Sequence, residues 1–240
     1  MKAIILAAGF ATRLYPLTQD KSKSLLEIKG KPIIDYILEK IKEIPIDEII
    51  IITNNKFYNN FTAWRENRKD IEKIKILNNG VSFEKEKLGS IGDLLFVIDR
   101  EKIDEDILVI SGDNLFKCSL KKAYDVFKKE NKDLSIFYDV QDTEEAKRFG
   151  VALVKDNFLV DFQEKPPEPK STLCSTSIYF YKKETMGLIK KFNREAENKD
   201  QPGLFLQWLY KKVPVYSYVT KEKWIDIGTK EALEKALGSF

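Results

Sequence analysis

The chain has 240 residues, 41 Lys plus Arg against 38 Asp plus Glu, and no histidine. That length suffices for one large α/β domain or two small ones, and a net charge of +3 argues against a dedicated nucleic-acid binder. Missing histidine excludes Ser-His-Asp and Cys-His catalysis and His-ligated zinc or iron, so a metal would rest on oxygen ligands, which favours Mg²⁺.

Cys118 and Cys174 are isolated, with neither metal-binding nor disulfide spacing. No apolar run reaches transmembrane length, and the run after Lys2 is too short for a signal peptide before Arg13 intervenes. The expectation is a cytoplasmic protein with no membrane partner. Chemistry without histidine suits a nucleophile that is already ionised. A phosphate monoester, with its second pKa at ~6, is one.

Residues 3–8 form a short apolar run ending at Gly9, the pattern of a buried parallel strand. The chain then leaves through Gly9-Phe10-Ala11-Thr12-Arg13 instead of entering a helix. Small residues there let backbone approach a ligand, and successive N–H groups can cradle phosphate. Arg13, Lys21 and Lys23 add positive charge. Taken alone, a tight turn with solvated charges is an equally open reading.

Pro32 is expected at the first position of a helix with Ile33, Ile34, Ile37, Leu38 and Ile41 inward. A strand over 48–53, a helix carrying Phe57, Phe61 and Trp64, and a strand over 73–77 complete a β-α-β-α-β unit. Ser90 is expected to cap a helix, with Asp93 reaching back and Ile91, Leu94, Leu95 and Ile98 as its apolar face. A strand over 107–111 ends at Gly112-Asp113, where open α/β sheets bind ligands. A helix over 120–130 and a strand over 134–138 follow. From residue 139 shorter strands take over, then helices near 183–197 and 203–211, a strand over 213–219, and a last helix capped by Thr229. The fold class is α/β: a Rossmann-like mixed, mainly parallel sheet flanked by helices. One domain over 1–240 is expected, with a first half over 1–138 and a second half over 139–240; the motif resemblance set out next implies nucleotide binding for the first and sugar-phosphate binding for the second.

The ordered set Gly9-x-Ala11-Thr12-Arg13-Leu14-x-Pro16-Leu17-Thr18, Lys23-x-Leu25-Leu26, Gly112-Asp113, Phe149-Gly150-Val151, Glu164-Lys165-Pro166 and Trp224-Ile225-Asp226-Ile227-Gly228-Thr229 resembles the sugar-1-phosphate nucleotidylyltransferases. The likeness is to NDP-sugar pyrophosphorylases of the glucose-1-phosphate thymidylyl- and uridylyltransferase type. Ala11 stands where that family has a second Gly, Ser22 where a Pro precedes the Lys, and Ser177 where a strand residue is Gly. Longer relatives append a β-helix, for which the chain has no room.

The resemblance implies nucleotide contacts from Leu6, Ala7, Ala8, Gly9, Ala11, Thr12, Arg13, Lys23, Asn78, Gly89, Gly92 and Asp113. It implies sugar-phosphate contacts from Gly150, Glu164, Lys165, Ser177 and Tyr179, and Mg²⁺ on Asp113 and Asp226. Arg13, Lys23 and Lys165 would be catalytic. The implied reaction joins an NTP (UTP or dTTP) to a sugar 1-phosphate (glucose 1-phosphate), giving NDP-sugar and pyrophosphate. Asn79 beside Asn78 could also offer an amide to a pyrimidine. A cytidylyltransferase acting on phosphocholine or a polyol phosphate, a non-catalytic regulatory homologue, and a homo-oligomer all remain open.

Overall fold

In a computed structural model the described residues are 1–66, 68 and 73–240. The chain runs through β1 (Lys2–Leu6), a two-strand flap β2 (Glu27–Ile28) and β3 (Lys31–Pro32), α1 (Ile33–Ile41), β4 (Glu48–Thr53), α2 (Tyr58–Glu66) and β5 (Ile74–Asn78). Then come α3 (Gly89–Arg100), β6 (Ile107–Ser111), β7 (Asn114–Phe116), α4 (Leu120–Glu130), β8 (Asp133–Asp139) and α5 (Thr143–Ala146). The remainder is β9 (Gly150–Lys155), β10 (Phe158–Glu164), β11 (Leu173–Tyr181), α6 (Thr185–Glu195), α7 (Pro202–Leu209), β12 (Val215–Thr220), β13 (Trp224–Asp226) and α8 (Lys230–Leu237).

Nine strands form one sheet in the order β5-β4-β1-β6-β11-β8-β12-β10-β9. Parallel pairing holds over β5-β4-β1-β6 and between β8 and β12. Elsewhere β11, β10 and β9 pair antiparallel with their neighbours, so the second half is less parallel than the sequence suggests. The uninterrupted apolar runs reflect burial on both faces. Ala3 and Ile5 of β1, Ile49 and Ile51 of β4, and Leu108 and Ile110 of β6 pack toward α1 and α4. Their alternates Ile4, Ile50, Ile52, Ile107 and Val109 pack toward α3, α6 and α7.

Two helix starts differ from expectation. Pro32 occupies the cap position before Ile33 instead of the first helical residue. Ser90 does not cap α3: the helix begins one residue earlier, and Ser90 Oγ donates to the carbonyl of Asp200 (2.7 Å). Asp93 does not reach back to it, because its carboxylate accepts from Asn79 Nδ2 (2.7 Å). Thr229 does cap α8, its Oγ1 accepting from Ala232 N. Among the described residues, no helix is long and apolar enough to cross a membrane.

Asp133, at the start of β8, ties that strand to α6. Its carboxylate accepts from Lys182 N (2.7 Å) and from Thr185 Oγ1 (2.7 Å to Oδ2). Burial nevertheless pushes its pKa from 3.8 to about 6. The folded chain therefore holds a proton that the unfolded chain releases, and stability falls as pH rises from about 4 to 6. Asp133→Asn should flatten this part of the profile by on the order of 2 kcal/mol, read as Tm against pH for variant and parent. An unaltered slope would show that burial of this group is already offset.

Candidate active site

The excursion after β1 meets the excursion after β6. Gly112 N donates to Leu6 O (2.8 Å), and a Cβ on Gly112 would lie 2.6 Å from Ser24 Oγ. Only glycine lets the Asp113 turn sit this close to the Lys23 turn. Side chains hold the first loop from behind through its carbonyls: Thr53 Oγ1 to Ala7 O, Asn54 Nδ2 to Ala8 O, and Thr18 Oγ1 to Ala11 O (2.7 Å). The N–H groups of residues 8–13 find no acceptor among the described residues. The same six residues line a cavity of about 290 Å³, together with Leu14, Lys23, Gly89 and Asp113 among others. Backbone donors in a concave run form an anion cradle.

Both departures in this region keep the local geometry. Ala11 adopts the left-handed conformation (φ 52°) that glycine reaches without strain. Ser22, at φ −59°, has the φ a proline ring would impose.

Asp113 and Asp226 come together because β7 and β13 pair antiparallel, with Asp226 opposite Asn114 and Ile227 N donating to Asp113 O (3.0 Å). Buried Asn114 locks this ribbon. It donates to Thr176 O (2.7 Å) and accepts from Trp224 Nε1 (3.0 Å). Burial and then the neighbouring Asp113 push the Asp226 carboxyl well above its ordinary value, while Lys23, Arg148 and Lys165 pull it back. Lys23 Nζ lies 2.5 Å from Asp113 Oδ2. Burial disfavours its charge, but Asp113 and Asp226 outweigh that and raise its pKa. The two carboxylates are an oxygen donor set that fits Mg²⁺, which binds through one or two carboxylates and fills its other positions with water or phosphate oxygens. No third acidic or Cys side chain joins them among the described residues.

A second cavity of about 560 Å³ opens from the first, sharing Arg13, Asp113, Lys165, Asp200 and Asp226. Gly150, Glu164, Ser177 and Tyr179 line it. The Glu164 carboxylate is wedged between two glycines: Cβ atoms on Gly150 and Gly203 would lie 2.7 and 1.7 Å from Oε2. Burial raises its pKa, and Lys165 opposes the rise. With its nitrogen turned to the carboxylate, the orientation that satisfies both neighbours, the Gln201 amide bridges the pair, donating to Glu164 Oε1 (3.2 Å) and accepting from Lys165 Nζ (3.1 Å). Ser177, at φ 55°, keeps a glycine-like backbone where β11 bulges against β8. Tyr179 is buried, its hydroxyl 3.1 Å from Ser175 Oγ, and burial raises its pKa.

Leu6, Ala7, Asn78 and Gly92 line neither cavity. Leu6 is a strand residue whose carbonyl is taken by Gly112. Asn78 bonds Asn55 and Gly80 at the sheet edge. Gly89 does reach the cavity, yet its lack of a side chain answers a different need: a Cβ would lie 2.5 Å from Lys199 O. Sequence reasoning missed Asp93, Arg148, Asp200, Gln201 and Gly203, all on the walls. Asp93 closes the stretch Leu88–Asp93 but reads there only as a helix-cap partner, and none of the other four sits in a motif that singles it out.

A family model described as nucleotidyl transferase matches residues 2–239. A Sulfolobus acidocaldarius protein carrying the name of a mannose-1-phosphate guanyltransferase is 30% identical over 231 residues, 95% of this chain and 60% of that protein. A glucose-1-phosphate thymidylyltransferase of Neisseria meningitidis is 31% identical over 250 residues, 98% of this chain and 81% of that one. A solved UDP-glucose pyrophosphorylase complexed with UDP-glucose shares the fold, with a TM-score of 0.82 at 22% identity over 99% of this chain and 97% of the other. The chain spans 60% and 51% of the length of two of the relatives it matches. With the model covering residues 2–239 and the same fold in the solved relatives, the chain belongs to the nucleotidyl transferase family.

Proposed function

We propose that the chain joins a nucleoside triphosphate to a sugar 1-phosphate, releasing pyrophosphate. The observation that carries this reading is a row of six N–H groups without an acceptor among the described residues, on residues lining a cavity that continues past a carboxylate pair into a second cavity edged by Arg13, Arg148 and Lys165 as well as by carboxylates. The names of the relatives support the reaction class. The resemblance in sequence brings UTP or dTTP with glucose 1-phosphate as the first pair to try, a cytoplasmic setting, and a division of labour between residues 1–138 and 139–240.

Two anions must meet, so the protein's task is neutralisation and alignment. Residues 8–13 and Arg13 would hold the outer phosphates and stabilise the departing pyrophosphate. Lys23 would face the α-phosphate and Lys165 the incoming phosphate. Glu164 would accept from sugar hydroxyls. The sugar phosphate is a dianion at neutral pH and attacks the α-phosphorus in line, without a general base or a covalent enzyme intermediate. Mg²⁺ held by Asp113 and Asp226 would supply further neutralisation of the α-phosphate. A matrix of NTPs against sugar 1-phosphates, scored by pyrophosphate release with Mg²⁺, tests this. Release that requires one member of each class is expected; release indifferent to the sugar phosphate would overturn it.

A further inference from the structure

Arg148 has no part in the reaction described above, yet it stands on the wall of the second cavity. Its backbone fixes that place. α5 ends in a turn where Arg148 N donates to Glu145 O (3.2 Å) and Phe149 N to Ala146 O (3.0 Å). β9 then starts opposite the end of β10, with Gly150 against Glu164, and Lys165 N donates to Phe149 O (3.0 Å). The ladder brings Arg148 and Lys165 to one end, where the charges of both reach Asp226.

A guanidinium among carboxylates ordinarily pairs with one of them. Glu145, Asp226 and Glu231 line a third cavity of about 360 Å³ together with Arg148. Glu145 is held by Lys235 (3.4 Å), and Glu231 lies in the first turn of α8 behind the Thr229 cap. Among the described residues the Arg148 guanidinium forms neither an ion pair nor a hydrogen bond. It lies over the Phe149 ring (5.8 Å to the centroid), a residue that lines both the second and the third cavity.

The other cations nearby are engaged. Lys23 Nζ lies on Asp113 Oδ2 (2.5 Å), Lys165 donates to Gln201 and offsets Glu164, and Arg13 also lines the first cavity beside the N–H row. A sugar 1-phosphate would carry a dianion into a cavity already walled by Asp113, Glu164, Asp200 and Asp226. One shared ammonium offsets little of that charge. An unpaired guanidinium meets two phosphate oxygens with one fork and stays charged at any working pH.

We propose that Arg148, together with Lys165, grips the phosphate of the sugar 1-phosphate and sets the affinity of the second cavity for its dianion. The inference rests on that cavity being the sugar-phosphate site. The grip acts on binding more than on turnover. As the phosphate oxygen gives an electron pair to the α-phosphorus, and pyrophosphate leaves with the pair of the broken P–O bond, the incoming phosphate loses negative charge. A cation on it therefore favours bound substrate at least as much as the transition state.

The test is steady-state kinetics on the full chain, Arg148→Gln and Arg148→Lys, with Tm measured for each. The sugar 1-phosphate that turns over in the matrix above is varied at saturating NTP, and then the reverse. Arg148→Gln should raise KM for the sugar phosphate by about 10- to 100-fold, the range for hydrogen bonds to a charged group. Its kcat and its KM for NTP should stay within about threefold of the parent. Arg148→Lys, which keeps the charge and loses the fork, should fall between parent and Arg148→Gln. Arg148 is exposed, so Tm should stay at the parent value in both variants. A KM for the sugar phosphate within about threefold of the parent, an equal rise in both KM values, or a loss carried by kcat overturns the inference and leaves the reaction intact. A parent chain that needs no sugar phosphate to release pyrophosphate overturns both.

Discussion

Asp113→Asn and Asp226→Asn should each lower kcat by about 10³-fold, the scale for removing a preorganised electrostatic contact from a phosphoryl-transfer site. The argument is one of charge. The two carboxylates share one end of a paired ribbon, and burial together with the neighbouring Asp113 disfavours ionisation of Asp226. Such an arrangement costs stability and persists only where a cation relieves it. Asp226→Asn should therefore leave Tm unchanged or raise it, since a neutral amide there is spared both desolvation and like-charge repulsion, whereas Asp113→Asn should lower Tm because it takes the ion-pair partner from buried Lys23. Steady-state turnover and thermal melts on each variant check the two halves together. Activity lost along with the fold would mean a structural role. Near-normal rates in both variants would remove the metal assignment.

The second large effect should come from Gly203→Ala. A methyl group there falls 1.7 Å from Glu164 Oε2, and Gly150 closes the opposite side of the slot. The carboxylate has to leave, and with it goes the Gln201 bridge to Lys165. KM for the sugar phosphate should rise by about 10- to 100-fold while nucleotide binding stays near normal, because Glu164 lines only the second cavity. The overpacking itself should cost about 1–3 kcal/mol of stability. Titrating each substrate separately distinguishes this outcome from general damage. An equal loss for both substrates would show that the two cavities do not divide the ligands between them.

How much was legible in the sequence follows from what each feature depends on. The strands Glu48–Thr53 and Ile107–Ser111 and the helix Leu120–Glu130 lie where reading the residues puts them, since two-faced burial writes a continuous apolar run and a surface helix writes a 3.6-residue period. The Ser90 cap was misread because a local spacing competed with a distant partner: the carbonyls of Lys199 and Asp200 reach the start of α3 from a separate loop. Gly203 and Gln201 were invisible for the same reason. Their roles exist only once α7 is folded against the end of β10, where Glu164 sits. Asn114 reads locally as a turn residue, yet it is the buried link between β7, β11 and β13. Motifs revealed the charged groups that would face ligand. The supports that aim them were hidden in tertiary contacts.

The most direct test follows the phosphorus atoms. With [α-³²P]NTP and [γ-³²P]NTP in parallel and a sugar 1-phosphate that turns over, the α label should collect in the sugar nucleotide and the γ label in pyrophosphate, in equal amounts. A γ label appearing on the sugar or as free phosphate would contradict attack at the α-phosphorus, and with it the assignment of Arg13, Lys23 and Lys165.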